Sequence, residues 1–169
     1  MKFKLRPYQE EASKKAVEFF LDKKKNWNAL EVLPTASGKS LILADIAARL
    51  KDKVLVFSPT KEILEQNYKK YCSYGFDNAS IYSASFKSKE ISDVTFATIG
   101  SVKGHPELFT DFKYILIDEV HLVKPESGMY KEFLDKLKSK VIGLTATPFR
   151  LYSYQNYGSI LKFLTRSRD

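Results

Sequence analysis

Four segments of this chain, residues 29–33, 53–60, 112–119 and 140–145, have near-continuous apolar centres and end on or beside hydroxyl or carboxylate residues. Runs of this kind suit strands buried on both faces, as in a parallel sheet covered by helices. Helical patterns lie between them. Residues 8–23 repeat apolar side chains at Ala12, Ala16, Phe19 and Phe20; residues 41–48 form a second such pattern. Residues 61–73 form a third, with Ile63, Leu64, Asn67, Tyr68 and Tyr71 on nearby faces. Shorter strand patterns occupy 79–82 and 93–98, split by a polar loop at 86–90, and a helix is expected at 129–137. Strands and helices alternating this regularly predict a doubly wound, mostly parallel α/β sheet with right-handed crossovers. The tail differs: residues 151–158 read as a loop, and 159–164 fit either an amphipathic helix or a strand.

In a doubly wound sheet, ligands sit at the C-terminal ends of the strands. The informative polar groups fall there: residues 35–40, 58–60, 98–101, 118–119 and 145–147. Residues 33–40, Leu-Pro-Thr-Ala-Ser-Gly-Lys-Ser, join a strand to a helix, the context in which backbone N–H groups and a helix N-terminus cradle phosphate. Leu33 stands where a complete phosphate loop has its first glycine, and Ala36 where another is often found. Lys39 would place a point charge on the β- and γ-phosphates. Asp118, at the end of a rigid strand, would support Mg²⁺ together with the Ser40 hydroxyl, and Glu119 would orient the attacking water or take its proton.

Composition narrows the setting. At 44% hydrophobic and 28% charged residues, 169 residues suit one soluble globular domain, and no apolar run is long enough to span a bilayer. The lone Cys72 allows no internal disulfide and makes a reducing cytoplasm the default. A net charge of +8 leans toward a polyanionic partner.

Together these residues resemble the first RecA-like domain of superfamily 2 helicases and translocases of the DEAH/DExH type, a P-loop NTPase fold. The resemblance spans residues 5–150 with the motifs in the family's order. Leu-Arg-Pro-Tyr-Gln at 5–9 looks like the adenine-recognition motif, which implies Gln9 on the adenine edge and Arg6 beside the base. Pro34, Thr35, Ala36, Ser37, Gly38, Lys39 and Ser40 look like motif I, and Asp-Glu-Val-His at 118–121 like motif II. Leu-Thr-Ala-Thr-Pro at 144–148 looks like motif III; the family's pattern implies that His121, Thr145 and Thr147 couple the ATP state to nucleic acid. Pro59, Thr60 and Lys61, with Leu64 and Gln66, look like motif Ia, and Thr98, Gly100 and Ser101 belong to a stretch like motif Ib. Both stretches would offer hydroxyls and N–H groups to phosphates without reading bases. The implied cofactors are ATP and Mg²⁺. The implied partner is nucleic acid, DNA rather than RNA.

Residues 1–150 are thus expected to form the ATP-binding domain. Residues 151–169 are expected to lead toward a second RecA-like domain that this chain lacks and that would supply arginine fingers. The domain alone is expected to hydrolyse ATP weakly and not to unwind duplexes. Two other readings compete: a small P-loop nucleotide kinase, and a nucleic-acid docking module with a vestigial ATP site. Intact Lys39, Ser40, Asp118 and Glu119 weigh against the second.

Overall fold

The computed structural model describes residues 4–33, 38–120 and 129–146, and the backbone of 161–166. Helix α1 (Pro7–Leu21) precedes strand β1 (Asn28–Val32), and α2 (Lys39–Leu50), β2 (Val54–Phe57) and α3 (Lys61–Cys72) follow. Next come β3 (Ala79–Ser83), a 3₁₀ turn (Ala84–Phe86), β4 (Ser88–Lys89), β5 (Val94–Ala97), the single-turn helix α4 (Ile99–Val102) and a second 3₁₀ turn (Pro106–Phe109). Strands β6 (Tyr114–Ile117), β7 (Lys140–Thr145) and β8 (Leu161–Arg166), with helix α5 (Met129–Asp135) between β6 and β7, complete the described elements.

The strands form one eight-stranded sheet in the order β4-β3-β5-β2-β6-β7-β1-β8, and β4 alone runs antiparallel to its neighbour. The expected doubly wound, mostly parallel architecture is the observed one. Central strands bury both faces by simple alternation. Val54 and Val56 join a core roofed by α1, α2 and α3 through Phe19, Ile42, Leu43 and Tyr71. Leu55 and Phe57 point the other way, into a core with Val102, Phe109 and Phe133. There Phe133 meets Phe57 and Phe109 edge-on, with centroids 5.6 and 5.9 Å apart, an arrangement that adds to plain area burial. Truncating a ring buried this completely costs about 3–5 kcal/mol.

Lys140 ties α1 to the sheet. Its ammonium lies 4.4 Å from the Phe19 ring centroid and donates to the carbonyls of Phe19 and Asp22, at a helix end with no basic residue of its own. Burial in this position holds the Lys140 pKa below the usual lysine value.

Two expectations about local structure change. Residues 86–90 are not a plain loop: the chain turns through the 3₁₀ segment and pairs β4 with β3. Lys87 makes the reversal at φ +51°, and the hydroxyls of Ser88 and Ser80 donate to the carbonyls of Ile81 and Glu90. The tail, open between helix and strand, contributes β8, parallel to β1 with a register shift between Leu30 and Glu31. The loop expected at 151–158 lies outside the described residues.

Candidate nucleotide site and the neighbouring strand ends

The ladder hydrogen bonds run on past the strands and align their C-terminal ends. Leu33 N–H donates to the Thr145 carbonyl, Asp118 N–H to Phe57, and Ser58 N–H to Ala97, at 2.9, 2.9 and 3.2 Å. One edge of the sheet therefore carries Leu33, Thr145, Asp118, Ser58 and Thr98 in a row.

Gly38 opens α2 in the left-handed region, at φ +75°, where glycine carries no steric cost. A Cβ there would stand 2.5 Å from Gln9 Nε2, so the glycine also admits the Gln9 amide against the loop backbone. Gln9, only 5% exposed, accepts from the Arg6 N–H at 2.8 Å. Arg6 itself is the exposed N-cap of α1. Of the two adenine-side candidates, Gln9 lies against Gly38 and Arg6 stands exposed at the start of α1. Pro34, Thr35, Ala36 and Ser37 lie outside the described residues, as do His121 and Thr147.

One residue on, Lys39 extends its ammonium to the carboxylates of Asp118, at 3.4 Å, and Glu119. Asp118 is 4% exposed and fully engaged: Oδ1 accepts from the Glu119 N–H at 2.9 Å and Oδ2 from Asn67 Nδ2 at 3.0 Å. Glu119 adopts φ +53°, a strained conformation for a residue with a side chain and one found preferentially at functional sites. Val120 then packs straight onto β7, where a Cβ on Gly143 would fall 2.6 Å from its Cγ2. Beside this turn, burial raises the Tyr130 pKa and the Asp118 charge raises it further.

Asn67 is the residue that sequence reasoning passed over. Buried on α3, it donates through Nδ2 to Asp118 and, at 3.1 Å, to Ser58 Oγ; its Oδ1 accepts from Ser40 Oγ at 2.8 Å. Gln66 Nε2 donates to the same Ser40 oxygen at 3.1 Å. The available signal was an amide on an otherwise apolar helix face, with Leu64, Tyr68 and Tyr71.

Ser40 Oγ and the Asp118 carboxylate share Asn67 as a partner, and the described residues hold no cluster of three or more metal-ligating side chains. One hydroxyl and one carboxylate fit Mg²⁺, which keeps waters and takes phosphate oxygens for its remaining positions.

The nucleic-acid candidates occupy the adjoining stretch of the edge. Thr60 caps α3, its Oγ1 accepting from the Ile63 N–H at 3.2 Å. Pro59 is half-buried, and the exposed Lys61 lies 5.2 Å from the Phe86 ring centroid. Thr98 and Ser101 turn their hydroxyls inward: they bond each other at 3.0 Å, Thr98 bonds Ser83, and Ser101 accepts from the Ala84 N–H. Gly100 is exposed with nothing near the position of a Cβ. Thr145 is fully buried beside β1, in register with Val32.

Known proteins are similar to this chain in sequence and in fold. A family model described as the res subunit of type III restriction enzymes matches residues 2–150. The DNA 3'-5' translocase XPB2 of Sulfurisphaera tokodaii is 31% identical over 152 residues, covering 88% of this chain and 32% of the relative. The ATP-dependent DNA helicase Hel308 of Methanocaldococcus jannaschii is 30% identical over 167 residues, covering 85% of this chain and 14% of the relative. This chain therefore spans a third or less of the curated relatives it matches. Among solved structures, the UvsW helicase of bacteriophage T4 superposes with a TM-score of 0.72 at 22% identity, over 96% of this chain and 60% of that one. A Sulfolobus solfataricus SWI2/SNF2 ATPase core in complex with dsDNA gives 0.69 at 23%, over 88% and 33%. These likenesses speak to fold. No helix among the described residues is long and apolar enough to cross a membrane. The chain belongs to the family of the res subunit of type III restriction enzymes, as an N-terminal RecA-like domain of the superfamily 2 helicase kind.

Proposed function

We propose that this chain is the ATP-binding half of a DNA-dependent ATPase of the helicase or translocase kind. The observation that carries this reading is the convergence of Lys39, Ser40, Asp118 and Glu119 at one point of the sheet edge, with the Lys39 ammonium against both carboxylates. Without nucleotide, Lys39 is the shared counter-ion of Asp118 and Glu119. When phosphates enter, the ammonium turns to them, and Glu119 is released to orient a water for attack on the γ-phosphate. Mg²⁺, when bound, neutralises charge on the phosphates. Ser40 and Asp118 would hold it, while Gln9 and Arg6 flank the base.

Pro59, Thr60, Lys61, Thr98, Gly100 and Ser101 form the phosphate-contacting face for DNA. Two relatives are named for action on DNA and one neighbour was solved with dsDNA, which supports DNA over RNA. His121, Thr145 and Thr147 are assigned to coupling. A second RecA-like domain completes the site, so residues 1–150 alone turn over slowly and do not unwind duplexes. A cytoplasmic setting suits a free, half-buried Cys72.

Phosphate release with single-stranded DNA, duplex DNA and RNA, together with calorimetric titration of ATP–Mg²⁺, tests the reading. Stimulation by DNA and binding lost in Lys39→Ala are expected. A wild type that takes up no ATP–Mg²⁺ overturns it, and vigorous unwinding by this polypeptide alone overturns the half-site assignment.

A further inference from the structure

Helix α3 starts at the proposed DNA face and ends its second turn inside the nucleotide site. Asn67 lies six residues beyond Lys61, about 9 Å along a helix that rises 1.5 Å per residue. Its amide is fully used, in an orientation fixed by chemistry. The Asp118 carboxylate can only accept, so Nδ2 faces it and Oδ1 must face Ser40. Ser40 therefore points its proton at Asn67. It accepts one hydrogen bond, from Gln66 Nε2, which leaves one lone pair of the hydroxyl uncommitted. The same amide holds Asp118 by Oδ2 and leaves Oδ1 to the Glu119 N–H and Lys39.

We infer that Asn67 is a positioning residue that presents the Ser40 hydroxyl and the Asp118 carboxylate to the divalent cation and ties their placement to helix α3. The inference rests on the ATP-site reading above and adds a link that the motif pattern does not contain. Because Nδ2 also bonds Ser58, at the end of β2 just ahead of Thr60, a shift of Ser40 or Asp118 on filling of the site pulls on both flanks of the DNA-facing turn. Conversely, a shift of α3 driven by DNA moves the proton that Ser40 donates. Partners that orient metal-binding groups are typically worth 10–100-fold in metal affinity.

The test titrates Mg²⁺ against the 169-residue chain with a fluorescent, non-hydrolysable ATP analogue, with a parallel arm in EDTA. Asn67→Leu keeps the branched outline of the side chain and removes the amide's hydrogen bonds. The expected result is a Mg²⁺ midpoint raised by about tenfold or more, with binding in EDTA within about twofold of wild type. The factor by which Mg²⁺–nucleotide changes single-stranded DNA affinity should fall toward one. Asn67→Ser, which cannot span the same partners, serves as a second variant, and circular dichroism checks that each is folded. Ser58→Ala removes a bond of Asn67 not aimed at the cation and should leave the midpoint in place. Folded Asn67 variants with a wild-type midpoint overturn the inference, as does a Ser58→Ala shift of equal size, which would mark general loosening. A wild type that binds no nucleotide in either arm overturns the ATP-site reading itself, and this inference with it.

Discussion

The two halves of the sheet edge solve opposite problems. Around β1, β6 and β7, charge is buried before any ligand arrives: Asp118 is 4% exposed and Lys39 fills the space between two carboxylates. Around β2, β3 and β5, apart from the exposed Lys61, the polar groups are neutral hydroxyls, several turned inward and already bonded to one another. A buried charge cluster gains much from a ligand that completes it, because each ion is costly out of water. A satisfied hydroxyl network gains little from any single contact and suits weak, repeated, sequence-blind association. On the proposed function, the first half suits one tight ligand and the second a sliding one.

Mutations should divide along this line, and the largest effects belong to the buried half. Lys39→Ala leaves two carboxylates without their counter-ion and without a phosphate ligand; ATP turnover should fall about 10³-fold, measured by phosphate release, while DNA binding persists. A loss of DNA affinity as large as the loss of turnover would break the comparison.

Glu31 comes next. It sits fully buried in β1 with no hydrogen-bond partner for either oxygen among the described residues, and burial pushes its pKa up to about 8, slightly opposed by Lys15. The folded state keeps the proton that the unfolded chain gives up near pH 4.5. Stability contributed by the protonated carboxyl is therefore complete below pH 4.5 and is lost as pH rises toward about 8. Denaturant melts at pH 5 and 8 should differ by roughly 3 kcal/mol from this group alone, and Glu31→Gln should flatten the difference. Equal pH slopes in both proteins would remove Glu31 from the account of the buried half.

Gly143→Ala drives a methyl into Val120 and should cost about 1–3 kcal/mol in thermal melts, lowering turnover with it because Glu119 rides on the same turn. The smallest effect is expected across the line. Thr60→Ala removes the α3 cap, about 1 kcal/mol of stability, and should weaken DNA binding without changing ATP affinity in the absence of DNA. An ATP affinity that moves with Thr60 would mean the two halves are one site.

The strands were readable because β2, β6 and the centre of β7 bury both faces, and two-sided burial writes itself as a continuous apolar run. The constellation of Lys39, Ser40, Asp118 and Glu119 was readable because each stands where a strand ends or a helix begins. What escaped depends on partners far away in the chain. Asn67 finds its role through residues 27, 9 and 51 positions distant, and no local pattern encodes that meeting. The β3–β4 pairing rests on one left-handed lysine and on serine hydroxyls bonded to backbone carbonyls, features shared with any polar loop. The sequence places Thr98 and Ser101 as hydroxyls at a strand end, but their inward turn becomes visible only once Ser83 and Ala84 are beside them.

Helix α1 is fastened at both ends, by Gln9 against Gly38 at one and by the Lys140 ammonium on the carbonyls of Phe19 and Asp22 at the other. Its 15 residues make a strut about 22 Å long. Lys140 opens the strand whose far end, Thr145, receives the N–H of Leu33 at the mouth of the phosphate loop. Strut and strand thus hold Gly38 and Leu33, which flank the candidate phosphate loop, from opposite sides, and a braced pair passes on a push where a free arm would absorb it. In the proposed nucleotide site, the base side and the phosphate side are then held to one spacing by the same two members.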